Sequence, residues 1–175
     1  MISYFRESYF KDIVTRMPIN EQRRIFTASL NESFDIFLSY NIYDKDVVKG
    51  IYYVLTKMGF KVYVDFIVDP SMNRSKVTKE TAQRIQSRLK HSKSLIYAQS
   101  SNAAMSKWMP WELGVVDGNT SKCFIMPIQK GCEIINSRQE YLLLYPVIGT
   151  NAHNELRVYD SEGAIYNRTL EDCLR

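Results

Sequence analysis

Long apolar runs are missing from this 175-residue sequence. No stretch approaches the ~20 apolar residues a membrane helix needs, so no membrane association is expected. The N-terminus, MISYFRESYFKDIV, mixes acids and bases early and lacks an apolar h-region, so no secretion signal is expected. Histidine is scarce, with only His91 and His153. That excludes a multi-histidine metal site and argues against a Cys/His zinc site. Cys123, Cys132 and Cys173 are odd in number and form no CxxC pair. They argue against a disulfide framework and fit a reducing, cytoplasmic setting. Glycine (7) and proline (5) are too few for a collagen-like or low-complexity chain. Neither GxGxxG nor the P-loop pattern occurs, which argues against Rossmann hydride transfer and P-loop phosphoryl transfer.

What is present suits one globular domain with a real core: 45% apolar and 24% charged residues. Lys plus Arg (23) exceeds Asp plus Glu (19), for a net charge of +4. This mild excess tolerates an anionic ligand without calling for nucleic acid.

Along the chain, Phe5, Tyr9, Ile13 and Met17 recur every fourth position and predict a helix, interrupted by Pro18 and Asn20; a second short helix is expected over 21–30. At Phe34 the pattern changes. FDIFLSY (34–40) reads as a buried strand. Asp44 is placed to cap a helix carrying Val47, Val48, Ile51, Tyr52, Leu55 and Met58, which Gly59 ends. FKVYVDF (60–66) reads as a second strand and 67–76 as a polar loop. Thr78 can cap the next helix, with Thr81, Ile85 and Leu89 on one face. SLIYAQS (94–100) is a third strand. SKWMPWELGVVDG (106–118) is a short helix with Pro110 in its first turn. KCFIMPIQ (122–129) and YLLLYPVI (141–148) are a fourth and a fifth strand. LRVYDSEGAIYN (156–167) suggests a hairpin turning at DSEG, followed by a short helix. The division is therefore a helical extension over 1–32, a core over 33–150, and a hairpin and short helix over 151–175.

Strands alternating with helices predict an α/β fold: a doubly wound, flavodoxin-like parallel sheet of five strands. Ligands on such sheets sit beyond the C-terminal strand ends, which here are the loops 39–44, 66–77 and 100–112. A response-regulator phosphoacceptor is excluded, because the third strand ends Ala98-Gln99-Ser100 without an aspartate. Asp69, Arg74, Ser75 and Lys76 fit either an ordinary solvated loop or an anion or protein contact. Trp108 and Glu112 are spaced i, i+4 and share a helix face. A carboxylate beside an indole can stabilise an oxocarbenium-like cation, as in glycoside cleavage; equally, the pair fits a first-turn glutamate and a packed tryptophan.

Taken in order, these segments resemble the Toll/interleukin-1 receptor (TIR) domain family, especially its bacterial members. FDIFLSY resembles the first-strand box and GFKVYVDF the second strand. The loop after it resembles the BB loop, without that loop's usual glycine. SLIYAQS with SNAAMSKWMPWELG resembles the third strand and the W-x-x-x-E segment, and KCFIMPI the fourth strand. The resemblance covers roughly 33–150. It implies cleavage of NAD, as substrate and not cofactor, at the nicotinamide–ribose bond. Glu112 is then the catalytic carboxylate and Trp108 a pocket wall. Ser39, Tyr40 and Asn41 line the nucleotide site. Phe66 and the loop holding Asp69, Arg74 and Lys76 contact substrate or a neighbouring protomer through TIR–TIR self-association. No metal is implied. A short bacterial chain of this kind suggests an anti-phage, Thoeris-type signal maker, giving ADP-ribose or a cyclic isomer to a separate effector protein. The alternatives are a non-catalytic TIR interaction module (an adaptor or a virulence mimic), which Glu112 disfavours, and a deoxyribosyltransferase-like enzyme, which the first-strand pattern does not support. Fold alone does not separate them.

Overall fold

The computed structural model describes residues 3–22, 29, 31–72, 78–131, 139–160 and 168–175. The chain begins with a short strand, β1 (Phe5–Arg6), and a helix, α1 (Glu7–Arg16). A single helical turn, α2 (Ile19–Gln22), follows Pro18; the rest of the helix expected up to Leu30 lies outside the described residues. The expected stripe is out of phase. Phe5 sits in a strand, Tyr9 is 42% exposed, and Phe10 is the buried apolar residue of α1. At Gly50 an added Cβ would lie 2.4 Å from the Phe10 carbonyl oxygen, so the glycine lets α1 lie directly on the following helix.

The first core strand is β2 (Phe34–Ser39). It leads through a 3-10 turn (Ile42–Asp44) into α3 (Lys45–Lys57), closed at Gly59 with φ +94. Asp44 does not cap that helix: its carboxylate is taken by the loop after a later strand, and Asn41 caps the turn instead. The second strand is shorter than FKVYVDF suggested. β3 covers only Val62–Tyr63, and Asp65–Val68 is a helical turn, α4. Asp65 causes this: its carboxylate accepts from Phe66 N at 2.7 Å and from the Tyr40 hydroxyl, which draws the backbone out of the ladder. Thr78 caps α5 (Lys79–Lys90) by accepting from Thr81 N.

β4 (Ser92–Gln99), α6 (Met109–Thr120) and β5 (Cys123–Gln129) follow as the pattern suggested. YLLLYPVI is not one strand. Glu140–Leu144 is a 3-10 turn with Leu144 76% exposed, and β6 is Val147–Thr150. Pro146 between them has no N–H to give a ladder. β7 (Leu156–Tyr159) pairs antiparallel with β6, and Arg168 forms an antiparallel bridge to Val158; the turn expected at DSEG falls on residues 161–167, which lie outside the described residues. α7 (Leu170–Leu174) ends the chain behind a Thr169 capping box.

The sheet runs β3-β2-β4-β5-β6-β7, parallel up to β6, with β1 pairing β5. The doubly wound core is the one expected, but the sheet has 7 strands, because both flanking segments add to it. Apolar alternation builds two cores. Ile36, Leu38, Ile96 and Ala98 face α1 and α3; Phe37, Leu95 and Tyr97 face α5 and α6.

Candidate active site

Glu112 sits in the first turn of α6. Ser106 prepares that turn, its Oγ accepting from Trp108 N at 3.3 Å and Met109 N at 3.2 Å. Pro110 falls where its missing N–H costs nothing, and Glu112 N closes the first regular bond to Trp108 O at 2.9 Å. Glu112 therefore stands at the positive end of the helix. Its side chain is 0% exposed, pointing under the helix at the sheet. There Ser39, the last residue of β2, donates from Oγ to Glu112 Oε2 at 2.5 Å. Trp108 is half-buried against the α5–α6 side core and meets Trp111 edge-on at 5.5 Å between ring centroids.

Across the β2–β4 ladder Ser39 pairs with Tyr97, so both side chains lie in one layer of the sheet, on the α6 face. Burial pushes the Tyr97 phenol well above its ordinary range, and Tyr141 and the Glu112 charge add to the push. Tyr141, from the 3-10 turn before β6, also donates to Gln139 Oε1. One layer further towards the strand ends is Gln99, 3% exposed, its Oε1 buried with no hydrogen-bond partner among the described residues.

The mouth of the site is stapled by amides and one carboxylate. Asn41 Nδ2 donates to Asn102 O at 2.7 Å, and its Oδ1 accepts from Tyr43 N at 3.1 Å. The buried Asp44 accepts from Ser100 Oγ at 2.5 Å and from Asn102 Nδ2 at 2.6 Å. These bonds tie the loop after β2 to the loop after β4, the two that flank the switch point of the sheet.

The sequence-derived residues thus fall into three groups. Ser39, Trp108 and Glu112 converge on the α6 face, with Asn41 at its rim. Tyr40 and Phe66 come together on the opposite face, with their rings edge-on at 5.6 Å and Lys45 Nζ 5.5 Å from the Phe66 ring. Asp69 lies away from both. It is 8% exposed and accepts from Arg88 Nε at 3.0 Å, Arg88 Nη2 at 3.1 Å and Tyr63 Oη at 2.9 Å. Burial opposes the Arg88 charge, yet Asp69 holds its affinity for the proton above the ordinary value. Arg74 and Lys76 lie outside the described residues.

Sequence reasoning missed Tyr97, Gln99, Tyr141 and Arg88. Period-two alternation along SKSLIYAQ could have set Tyr97 and Gln99 beside Ser39. Nothing local marks Tyr141, which stands in an apolar run, or Arg88, which reads as an ordinary helix-surface charge.

No family model matches the chain. It is similar to "Probable 3' cyclic ADP-D-ribose synthase ThsB'" of Bacillus cereus (strain MSX-D12), with 40% identity over 143 residues covering 81% of this chain and 68% of that protein. It is also similar to "Putative cyclic ADP-D-ribose synthase TIR2" of Cytobacillus dafuensis, at 25% identity over 99 residues, 55% of this chain. The chain spans only 26% of that second relative's length. Among solved structures, the TIR domain of the Toll-related receptor TRR-2 from Hydra magnipapillata overlaps it with a TM-score of 0.43 and 18% identity, covering 59% of this chain and 77% of that one.

Proposed function

This chain belongs to the TIR domain family, among its ThsB'-like cyclic ADP-ribose synthases, and we propose that it cleaves NAD and closes the ADP-ribose into a ring. Glu112 carries this reading: a fully buried carboxylate at a helix N-terminus, oriented by Ser39. The bond between nicotinamide N1 and the ribose carbon breaks, and its electron pair leaves with nicotinamide as the neutral base. The ribose is left oxocarbenium-like, and a carboxylate held in a water-poor site stabilises that charge more than water does. Trp108 walls the pocket. A hydroxyl of the adenosine-side ribose then attacks the same carbon and releases its proton, giving a cyclic ADP-ribose of the 3'-linked kind that the Bacillus cereus relative's name carries.

In this reading Ser39 and Asn41 line the site directly. Phe66, Arg74 and Lys76 serve nucleotide or protomer contacts, Asp69 shapes the loop that carries them, and Tyr40, buried on the opposite face, supports the site from behind through its bond to Asp65. The protein acts in the cytoplasm, assembles through TIR–TIR contacts, and signals through its product to a separate effector in Thoeris anti-phage defence. Among the described residues no helix is long and apolar enough to cross a membrane.

The test is NAD incubated with concentrated protein, alone and with lysate of phage-infected cells, and read by mass spectrometry. The expected result is nicotinamide and a cyclic isomer of ADP-ribose from wild type, and neither from a folded Glu112→Gln variant. Turnover retained by that variant removes Glu112 from its role. No turnover with either addition returns the chain to a non-catalytic interaction module.

A further inference from the structure

Gln99 is the last residue of β4. Leu95 and Tyr97 of the same strand face α5 and α6, while Ile96 and Ala98 face the other way. Alternation therefore sends Gln99 to the Glu112 side. Its partner on β5 is Pro127, and the layer beneath it holds Ser39 and Tyr97, with Ser39 bonded to Glu112. Gln99 thus stands one two-residue step, roughly 6.6 Å, nearer the strand ends than the layer of Ser39, which bonds Glu112.

Burying an amide oxygen without a partner is costly, so natural cores avoid it. Gln99 is 3% exposed, and its Oε1 meets no hydrogen-bond partner among the described residues. A group of this kind, kept at the ligand-binding edge of a parallel sheet and beside the reactive carboxylate, suits recognition of a polar substrate group. The proposed reaction supplies one of matching chemistry. In NAD the carboxamide of the nicotinamide ring stands roughly 5–6 Å from the ribose carbon that reacts, by ordinary bond lengths. That separation matches the step from the Glu112 layer to Gln99.

We propose that Gln99 recognises the nicotinamide carboxamide, its Oε1 accepting one amide N–H, and so selects NAD over dinucleotides whose ring carries no amide. This assignment rests on the NAD-cleaving reading above. A site built to bond an N–H discriminates strongly against an analogue without one, because the buried acceptor is then left unpaired beside a second acceptor. The probe is nicotinic acid adenine dinucleotide, in which a carboxylate replaces the carboxamide.

The experiment titrates both dinucleotides calorimetrically into the full chain carrying Glu112→Gln, so that neither is consumed, and into the same protein with Gln99→Met or Gln99→Glu added. NAD is expected to bind on the order of 100-fold more tightly than the acid analogue. Gln99→Met is expected to bring that ratio to about one with little change in melting temperature, since it removes the unpaired buried amide oxygen while keeping the shape. Gln99→Glu, which still accepts from the carboxamide but repels the acid, is expected to keep or widen the ratio. Equal binding before Gln99 is changed, a ratio unmoved by Gln99→Met, or a ratio lowered by Gln99→Glu overturns the assignment and leaves the NAD reading standing. NAD that neither binds nor is cleaved by wild type removes both.

Discussion

Ser39 Oγ and Glu112 Oε2 are joined at 2.5 Å although 73 residues separate them in the chain. The bond connects the C-terminal end of β2 to the first turn of α6, so the orientation of the Glu112 carboxylate depends on the sheet. Ser39→Ala takes away that donor and leaves the oxygen buried. The expected cost is ~1–3 kcal/mol of stability and roughly a tenfold or larger loss in kcat from misorientation. Denaturant unfolding and NAD turnover, measured on the same preparation, check the two effects separately. An unchanged kcat would show that the carboxylate orients without Ser39.

Asp44 and Asn102 form the second staple. Asp44→Asn places an amide where two donors, Ser100 Oγ and Asn102 Nδ2, now point at a carboxylate. The variant is expected to lose ~1–3 kcal/mol and to raise KM more than it lowers kcat, because the loop carrying Asn41 loosens. Exchanging the pair, Asp44→Asn with Asn102→Asp, restores a donor opposite an acceptor and is expected to recover most of both losses. A double variant no better than the single would dismiss the contact as the cause.

Arg88 and Asp69 are a buried pair on the α5 side, with the Arg88 guanidinium also donating to Ser29 O at 2.6 Å. Arg88→Met strands the Asp69 carboxylate and is expected to destabilise by ~3–5 kcal/mol. Adding Asp69→Leu removes the stranded charge and is expected to return part of that. Melting curves of the single and double variants decide it; a double variant additive with the singles argues against coupling.

Alkaline pH is expected to loosen the fold. Burial pushes the Cys123 thiol from its ordinary value of 9.0 up to about 12, with Asp117 adding. Burial also pushes the Tyr145 phenol from 10.0 up to about 12, helped by its hydrogen bond to Asp117. Both protons are held by the native chain and lost by the unfolded one across this window. Their contribution is whole below the unfolded values and falls as pH rises towards 12. Stability against urea is expected to decline above about pH 9. The decline should be shallower in Cys123→Ala and Tyr145→Phe. An equally steep decline in both variants would place its origin elsewhere.

Local sequence determined the doubly wound core of this protein. Strands β2, β4 and β5 and helices α3 and α5 each carry an apolar period, and the end signals of the helices lie in or beside their own residues. Gly59 stops α3, Thr78 starts α5, and Pro110 opens α6. The W-x-x-x-E spacing likewise marked Trp108 and Glu112 from residues four apart. What it could not decide is any feature whose cause lies far along the chain. Asp44 has the look of a helix cap, yet its partners come from the loop after β4. FKVYVDF alternates like a full strand, but Asp65 and Tyr40 fold its second half into a turn. Phe10 outranks Tyr9 only because Gly50 of α3 leaves room for it. The two extra edges of the sheet exist because β5 has a free stretch at Ile128–Gln129 for β1, and β6 a free side for β7. Tertiary structure also decided what Glu112 is. A first-turn glutamate is ordinarily a solvated charge. Here Ser39, Tyr97 and the helix above enclose it, and the proposed role of Glu112 rests on that burial.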